Sequence, residues 1–136
     1  MTKFLAACVQ MRSGLDRRRN VAAACAMIEE AADRGARFVS TPEMTNVLDR
    51  DATRLFAHLD EEGSAFEIEA FAALARSRNI FLHIGSMAIR TGPRRAANRT
   101  FLFAPDGRIV ARYDKIHRFD VDLPNGESWR ESNVYD

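Results

Sequence analysis

Two short apolar runs, set either side of a helix-period stretch, do most to restrict the fold of this chain. Lys3 to Met11 reads as a strand, with Phe4, Leu5, Ala6, Ala7, Cys8 and Val9 apolar without alternation. Such a strand belongs in the middle of a sheet covered on both faces. From Asn20 to Arg34, the residues Val21, Ala24, Cys25, Ile28, Ala31 and Ala32 return at steps of three and four. That spacing gives one apolar helix face, capped by Asn20 and ended by Gly35 as a left-handed residue. A second apolar run, Arg37 to Thr41, follows at once. Strand, helix and strand in this order form a βαβ unit, with parallel strands and a right-handed crossover.

The rest of the chain extends that unit. Pro42 ends the second strand because it has no N–H for a ladder. Asn46 to Gly63 is polar, with a short helix near Arg54 to Leu59. Ser64-Ala-Phe-Glu67 has capping-box spacing and predicts a helix to about Arg78, with Phe66, Phe71, Leu74 and Ala75 inward and Asn79 at its end. Ile80 to Gly85 is a further apolar strand, and Thr91 to Ala97 reads as a basic loop. Arg99–Ala104 and Arg108–Tyr113 alternate about Pro105-Asp106-Gly107, which predicts a β-hairpin. Beyond Lys115 the chain reads as loop. The whole is an α/β layered fold with a mostly parallel sheet and an antiparallel hairpin.

Composition narrows the function. The chain has 136 residues, net charge +1 and 46% hydrophobic content, an ordinary globular balance. A nucleic-acid-binding domain carries a basic excess that this one lacks, so Arg17-Arg18-Arg19 and Arg94-Arg95 read as solvated surface. No window reaches the roughly 18 apolar residues of a membrane span. The first apolar run, Phe4 to Val9, is short and lacks a signal peptide's basic start and cleavage site, so secretion is not expected. A reducing, cytoplasmic setting is the expectation, with Cys8 and Cys25 as buried core thiols. His58, His83 and His117 lack metal-ligand spacing.

Ligands on parallel sheets bind beyond the carboxyl ends of the strands. Glu43 stands at one such end, aimed by the stiff Thr41-Pro42 dipeptide. Lys115 stands just after the hairpin. It is one of two lysines, with Lys3, among eighteen arginines. A lysine supplies a compact ammonium that guanidinium does not mimic. Each residue alone also reads as solvated surface. Together, a carboxylate can act as general base while an ammonium holds a developing oxyanion. Mutual attraction keeps both ionised. The pair lacks a nucleophile.

The segments around these residues resemble a known family. Phe38-Val39-Ser40-Thr41-Pro42-Glu43-Met44 is similar to the segment carrying the catalytic glutamate of the nitrilase superfamily of carbon–nitrogen hydrolases. Tyr113-Asp114-Lys115-Ile116-His117-Arg118-Phe119-Asp120-Val121-Asp122 resembles the segment carrying its catalytic lysine. Ala7-Cys8-Val9-Gln10-Met11 and the helix from Asn20 resemble its first βα unit. Glu131-Ser132, before Asn133 and Tyr135, resembles the position of a second glutamate near the substrate. The Phe119–Asp122 wording is similar to the amidase branch containing omega-amidase and deaminated glutathione amidase.

The resemblance spans the chain and implies an αββα sandwich, of which these residues supply about one half as a mixed sheet with outer helices. It implies hydrolysis of a small carboxylated amide through a cysteine thioester, with Glu43 as general base, Lys115 at the oxyanion and Glu131 beside them. No cofactor or metal is implied. The expected partners are a small-molecule amide and, in the full-length form, further copies of the chain; nucleic acid and membrane are not among them. The family's cysteine lies beyond the Glu131 region. Residues 1–136 are therefore expected to be the N-terminal part of one carbon–nitrogen hydrolase domain. That part alone would be inactive and would expose the inner sheet face. The alternative is a non-catalytic homologue that pairs with another chain through that face.

Overall fold

The computed structural model describes residues 3–136. Strand β1 (Leu5–Cys8) leads to helix α1 (Arg17–Asp33), strand β2 (Ala36–Ser40), short helix α2 (Ala52–His58) and helix α3 (Phe66–Arg78). Strands β3 (Phe81–Gly92), β4 (Arg95–Phe103) and β5 (Ile109–Asp114) follow. The small strands β6 (Asp120–Asp122) and β7 (Ser128–Arg130) come last. The main sheet has the order β1-β2-β3-β4-β5. Its first three strands are parallel and its last two pairings antiparallel, so the sheet is mixed. Among the described residues no helix is long and apolar enough to cross a membrane.

Helices α1 and α3 lie side by side on one face and make the core there. Val21, Ala24 and Ile28 of α1, and Phe71, Leu74 and Ala75 of α3, are buried against Val39, Leu82, Ile84, Phe101 and Phe103 of the sheet. The helical spacing read from the sequence is thus the buried face. Asn79 (φ 50°) and Gly35 (φ 92°) end the two helices in the left-handed region, as expected.

The other face of the sheet carries the alternate residues. Phe38 and Ser40 pair in register with Phe81 and His83. Phe38 stacks on the His83 ring at 6.2 Å between centroids. Phe81 is 44% and Tyr113 54% exposed, so this face is open along much of its length.

Several local expectations are corrected. β1 lies at the sheet edge rather than in its middle. Ala7 and Val9 pack toward the helices, while Leu5 and Cys8 are exposed. Cys8 is therefore not a core residue, and Cys25 is only half-buried. A continuous apolar run marks two apolar faces but not what covers the second. Asp16, not Asn20, caps α1, accepting from the Arg19 N–H at 3.0 Å. Asn20 instead bonds Gly14 and the Asn46 carbonyl.

The capping box does not form. α3 begins at Phe66 without a side-chain cap, and the Ser64 hydroxyl donates to the Glu61 carbonyl. Glu67 is fully buried and paired with Arg17 at 2.7 Å. A fixed guanidinium offers an ionised carboxylate more than one exposed backbone amide does. Arg17 is consequently not solvated surface. The expected loop at Thr91 to Ala97 is mostly strand, since β3 and β4 form a long hairpin that turns at residues 93 and 94. The stretch after Lys115 holds the β6–β7 hairpin.

Candidate active site

Glu43 is held by the loop that leaves β2. The Thr41 N–H donates to the His83 carbonyl at 2.9 Å, extending the parallel ladder by one residue. Beyond it, β3 bulges between Ile84 and Met87 and turns Gly85 and Ser86 toward the loop. Ser86 grips both sides of the next residues. Its hydroxyl accepts from Met44 N–H at 3.0 Å, its carbonyl accepts from Thr45 N–H at 2.8 Å, and its own N–H donates to the Pro42 carbonyl. Asn46 completes the clamp with a two-way bond to the Ala88 backbone. Met44 sits at φ 55°, an uncommon state for a residue with a side chain. Such a conformation persists where neighbours over-determine it, as they do beside Glu43.

Lys115 directly follows β5. Its backbone N–H donates to the Asn98 carbonyl at 2.9 Å, and the preceding Asp114 is gripped by Arg99 at 2.6 and 2.7 Å. Glu131 arrives by a different route. The β6–β7 hairpin folds the chain back, so that Glu131 lies beside Lys115 and accepts from the Phe119 N–H. The tail is then pinned along β4 by bonds from Ala96 to Val134 and from Asp136 to Ala96.

The three side chains meet at one ammonium. Lys115 Nζ lies 2.9 Å from Glu43 Oε1, and 3.0 and 2.9 Å from the two Glu131 oxygens. Glu131 is mostly shielded, Lys115 is partly so, and Glu43 is the open member. The hydrogen bond from Lys115 holds the Glu43 carboxyl below its usual range, against partial burial and with help from Asn98. For Lys115, burial favours the neutral amine. The hydrogen bonds to Glu131 and Glu43, and their charges, outweigh it and raise the pKa. The pair is ionised at neutral pH, as the sequence suggested.

The triad opens into a cavity of about 1150 Å³. Met44, Leu48, Phe119 and Tyr135 give it apolar wall, and Arg12 and Arg50 bring positive charge. Neither cysteine lines it. Burial, with Glu29 nearby, pushes the Cys25 thiol up, which suits it poorly to nucleophilic work.

Sequence reasoning missed Asn98. It is 2% exposed on β4, and its Nδ2 donates to Glu43 Oε1 at 2.7 Å and reaches Glu131 Oε1 at 3.5 Å. The available signal was an amide preceding Arg99 in a strand whose neighbours Ala96 and Ala97 are apolar. Its importance lies in its partner, 55 residues away.

Residues 5–136 match the carbon–nitrogen hydrolase family. The chain is 33% identical over 134 residues to omega-amidase NIT2 of Homo sapiens, covering 98% of this chain and 48% of that protein. It is 34% identical over 137 residues to the chloroplastic omega-amidase of Arabidopsis thaliana, covering 98% and 37%. The chain thus spans about half the length, or less, of the curated relatives it matches. Among solved structures, the C. elegans NitFhit protein superposes with a TM-score of 0.80 at 26% identity, over 95% of this chain and 32% of that one. A carbon-nitrogen hydrolase from Helicobacter pylori shares the fold with a TM-score of 0.77 at 18% identity, over 98% and 44%.

Proposed function

This chain belongs to the carbon–nitrogen hydrolase family, and from that premise we propose that it carries the proton-transfer and oxyanion-binding half of an amidase active site. The reaction is hydrolysis of a small carboxylated amide to the acid and ammonia. The Lys115 bridge between Glu43 and Glu131, at the wall of an open cavity, carries this reading. Residues 1–136 are the N-terminal part of a single domain. The remainder covers the open sheet face and supplies the nucleophilic cysteine. A cytoplasmic, reducing setting keeps that thiol free.

Glu43 takes the thiol proton as the sulfur attacks the amide carbon. The carbonyl electrons move to oxygen, and the Lys115 ammonium receives the negative charge. Glu131 holds that ammonium from behind and keeps it charged. The C–N bond breaks as Glu43 passes its proton to the departing nitrogen, leaving ammonia and a thioester. Glu43 then deprotonates water, which attacks the thioester and releases the acid and the thiolate. Each carboxylate proton taken up is returned within the cycle, so no external acid is required.

The test is ammonia release from short omega-amides of dicarboxylic acids. A protein in which these residues continue into the cysteine-bearing segment releases ammonia. Glu43→Gln and Lys115→Met each lower the rate by about a hundredfold or more. Residues 1–136 alone release none. Ammonia release by residues 1–136 that vanishes on Cys8→Ser or Cys25→Ser would sink the proposal.

A further inference from the structure

We propose that Asn98 is a positioning residue that makes the two oxygens of Glu43 unequal, so that Oε2 alone exchanges the proton during the reaction. The inference rests on Glu43 acting as the general base. Oε1 accepts two hydrogen bonds, from Asn98 Nδ2 at 2.7 Å and from Lys115 Nζ at 2.9 Å. Among the described residues no hydrogen bond reaches Oε2. An oxygen that already accepts two donors is the weaker base. Oε2, without such donors, is left as the more basic oxygen.

The orientation of the Asn98 amide is forced. An ionised carboxylate only accepts, so the NH₂ group must face Glu43 and the carbonyl must face away. That carbonyl oxygen, Oδ1, is buried with no hydrogen-bond partner. A buried acceptor without a donor is a net penalty, and an apolar side chain of similar shape avoids it. The fold therefore gains from this amide only its N–H contacts to the carboxylates, set against the cost of the unpartnered oxygen. What leucine cannot supply is the N–H on Glu43 Oε1. Asn98 also reaches Lys115 through its backbone carbonyl, so one residue registers both the base and the ammonium.

Other charged and titratable groups bear on Glu43. Lys115 and Glu131 face it directly, and Tyr135 lies behind it with a pKa raised by burial and by Glu131, Glu43 and Asp49. Arg12, Asp49 and Arg50 line the same cavity. Of these, Glu131 alone also meets the Asn98 side-chain amide, at 3.5 Å against 2.7 Å for Glu43. A change in Glu43 titration on that replacement therefore reports the lost N–H.

The experiment compares wild type with Asn98→Leu, and with Asn98→Ala should the larger side chain not be accommodated. Two readouts are taken on each: the melting temperature, and the Glu43 carboxyl titration followed by carbon-13 NMR. The active protein adds the pH–rate profile. A variant that melts close to wild type, the lost hydrogen bond offset by removal of the unpartnered oxygen, while Glu43 titrates at higher pH, is the expected result. In the active protein the acid limb of kcat moves the same way. There kcat falls about tenfold with KM little changed, the signature of a misplaced base rather than lost binding. A lower melting temperature with Glu43 titration unchanged in either variant overturns the proposal and makes Asn98 merely structural. A shifted titration in a protein that hydrolyses no amide instead counts against the amidase reading, and supports the grip of Asn98 on Glu43.

Discussion

Gly85→Ala is the substitution that most directly couples the fold to the site. A Cβ built on Gly85 would lie 2.4 Å from the Thr41 carbonyl oxygen and 2.7 Å from the carbonyl carbon and oxygen of Pro42. All three are backbone atoms of the dipeptide that precedes Glu43, so no rotamer relieves the contact. To reach even 3.0 Å, strand and loop must part by about 0.6 Å. The bonds across that gap run from Gly85 N–H to Thr41 Oγ1 at 3.2 Å and from Ser86 N–H to the Pro42 carbonyl at 3.3 Å. Both then pass beyond hydrogen-bond range. Two lost bonds at about 1 kcal/mol each, with overpacking strain of about 1–3 kcal/mol, give a destabilisation of roughly 3–5 kcal/mol. For a domain of this size that lowers the melting temperature by on the order of 10 °C. Thermal and urea unfolding followed by circular dichroism measure it. Gly63→Ala serves as control, because Gly63 has nothing within 4 Å of its Cβ position. In active protein the same shift exceeds the roughly 0.5 Å tolerance of a catalytic arrangement, and activity falls further than stability accounts for. A Gly85→Ala melting temperature within about 2 °C of wild type would refute the close-approach reasoning.

The Arg17–Glu67 pair makes a second prediction. Glu67 is fully buried and takes two bonds from Arg17, at 2.7 and 2.9 Å, with Asn46 at 3.4 Å. Arg17→Met leaves that charge alone and costs about 3–5 kcal/mol. Adding Glu67→Leu recovers part of the loss, which a double-mutant cycle in urea reads directly; additive losses would show that the two are not coupled. The triad makes a third prediction, on pH. The Glu43 pKa is lowered on folding, so its contribution to stability is present above the ordinary carboxylate pKa and is lost as pH falls through the lowered value. The Lys115 pKa is raised, so its contribution is present below the ordinary lysine pKa and is lost as pH rises through the raised value. The stability difference between wild type and Lys115→Met is therefore flat near neutrality and shrinks at both extremes. Urea unfolding across pH measures it, and a difference that peaks in acid would contradict the ion-pair assignment.

The local decisions were legible in the chain because each depends on a few neighbouring residues. The three- and four-residue spacing from Val21 to Ala32 marked the face of α1 that is buried. Gly107 supplied the left-handed turn of the β4–β5 hairpin, at φ 82°, and Pro42 ended β2 where a carboxylate could project past the sheet. Glu43 and Lys115 followed from strand ends together with the resemblance of their segments. Glu131 rested on the resemblance alone, because the β6–β7 hairpin that returns it to Lys115 has short strands and a weak pattern.

Tertiary structure decided what lies across from each face. Ser64 and Glu67 have the spacing of a capping box, but the spacing does not reveal that Arg17, 50 residues earlier, will meet Glu67 in the core. Cys8 sits in a run that reads as buried on both sides, yet β1 falls at the edge with one side open. Asn98 looks like any polar residue in a strand until packing sets it beneath Glu43 with one oxygen unpartnered. Short-range patterning encodes which side of an element is apolar. It does not encode which distant side chain arrives there, because that is settled by the joint packing of elements whose residues lie 50 to 72 positions apart.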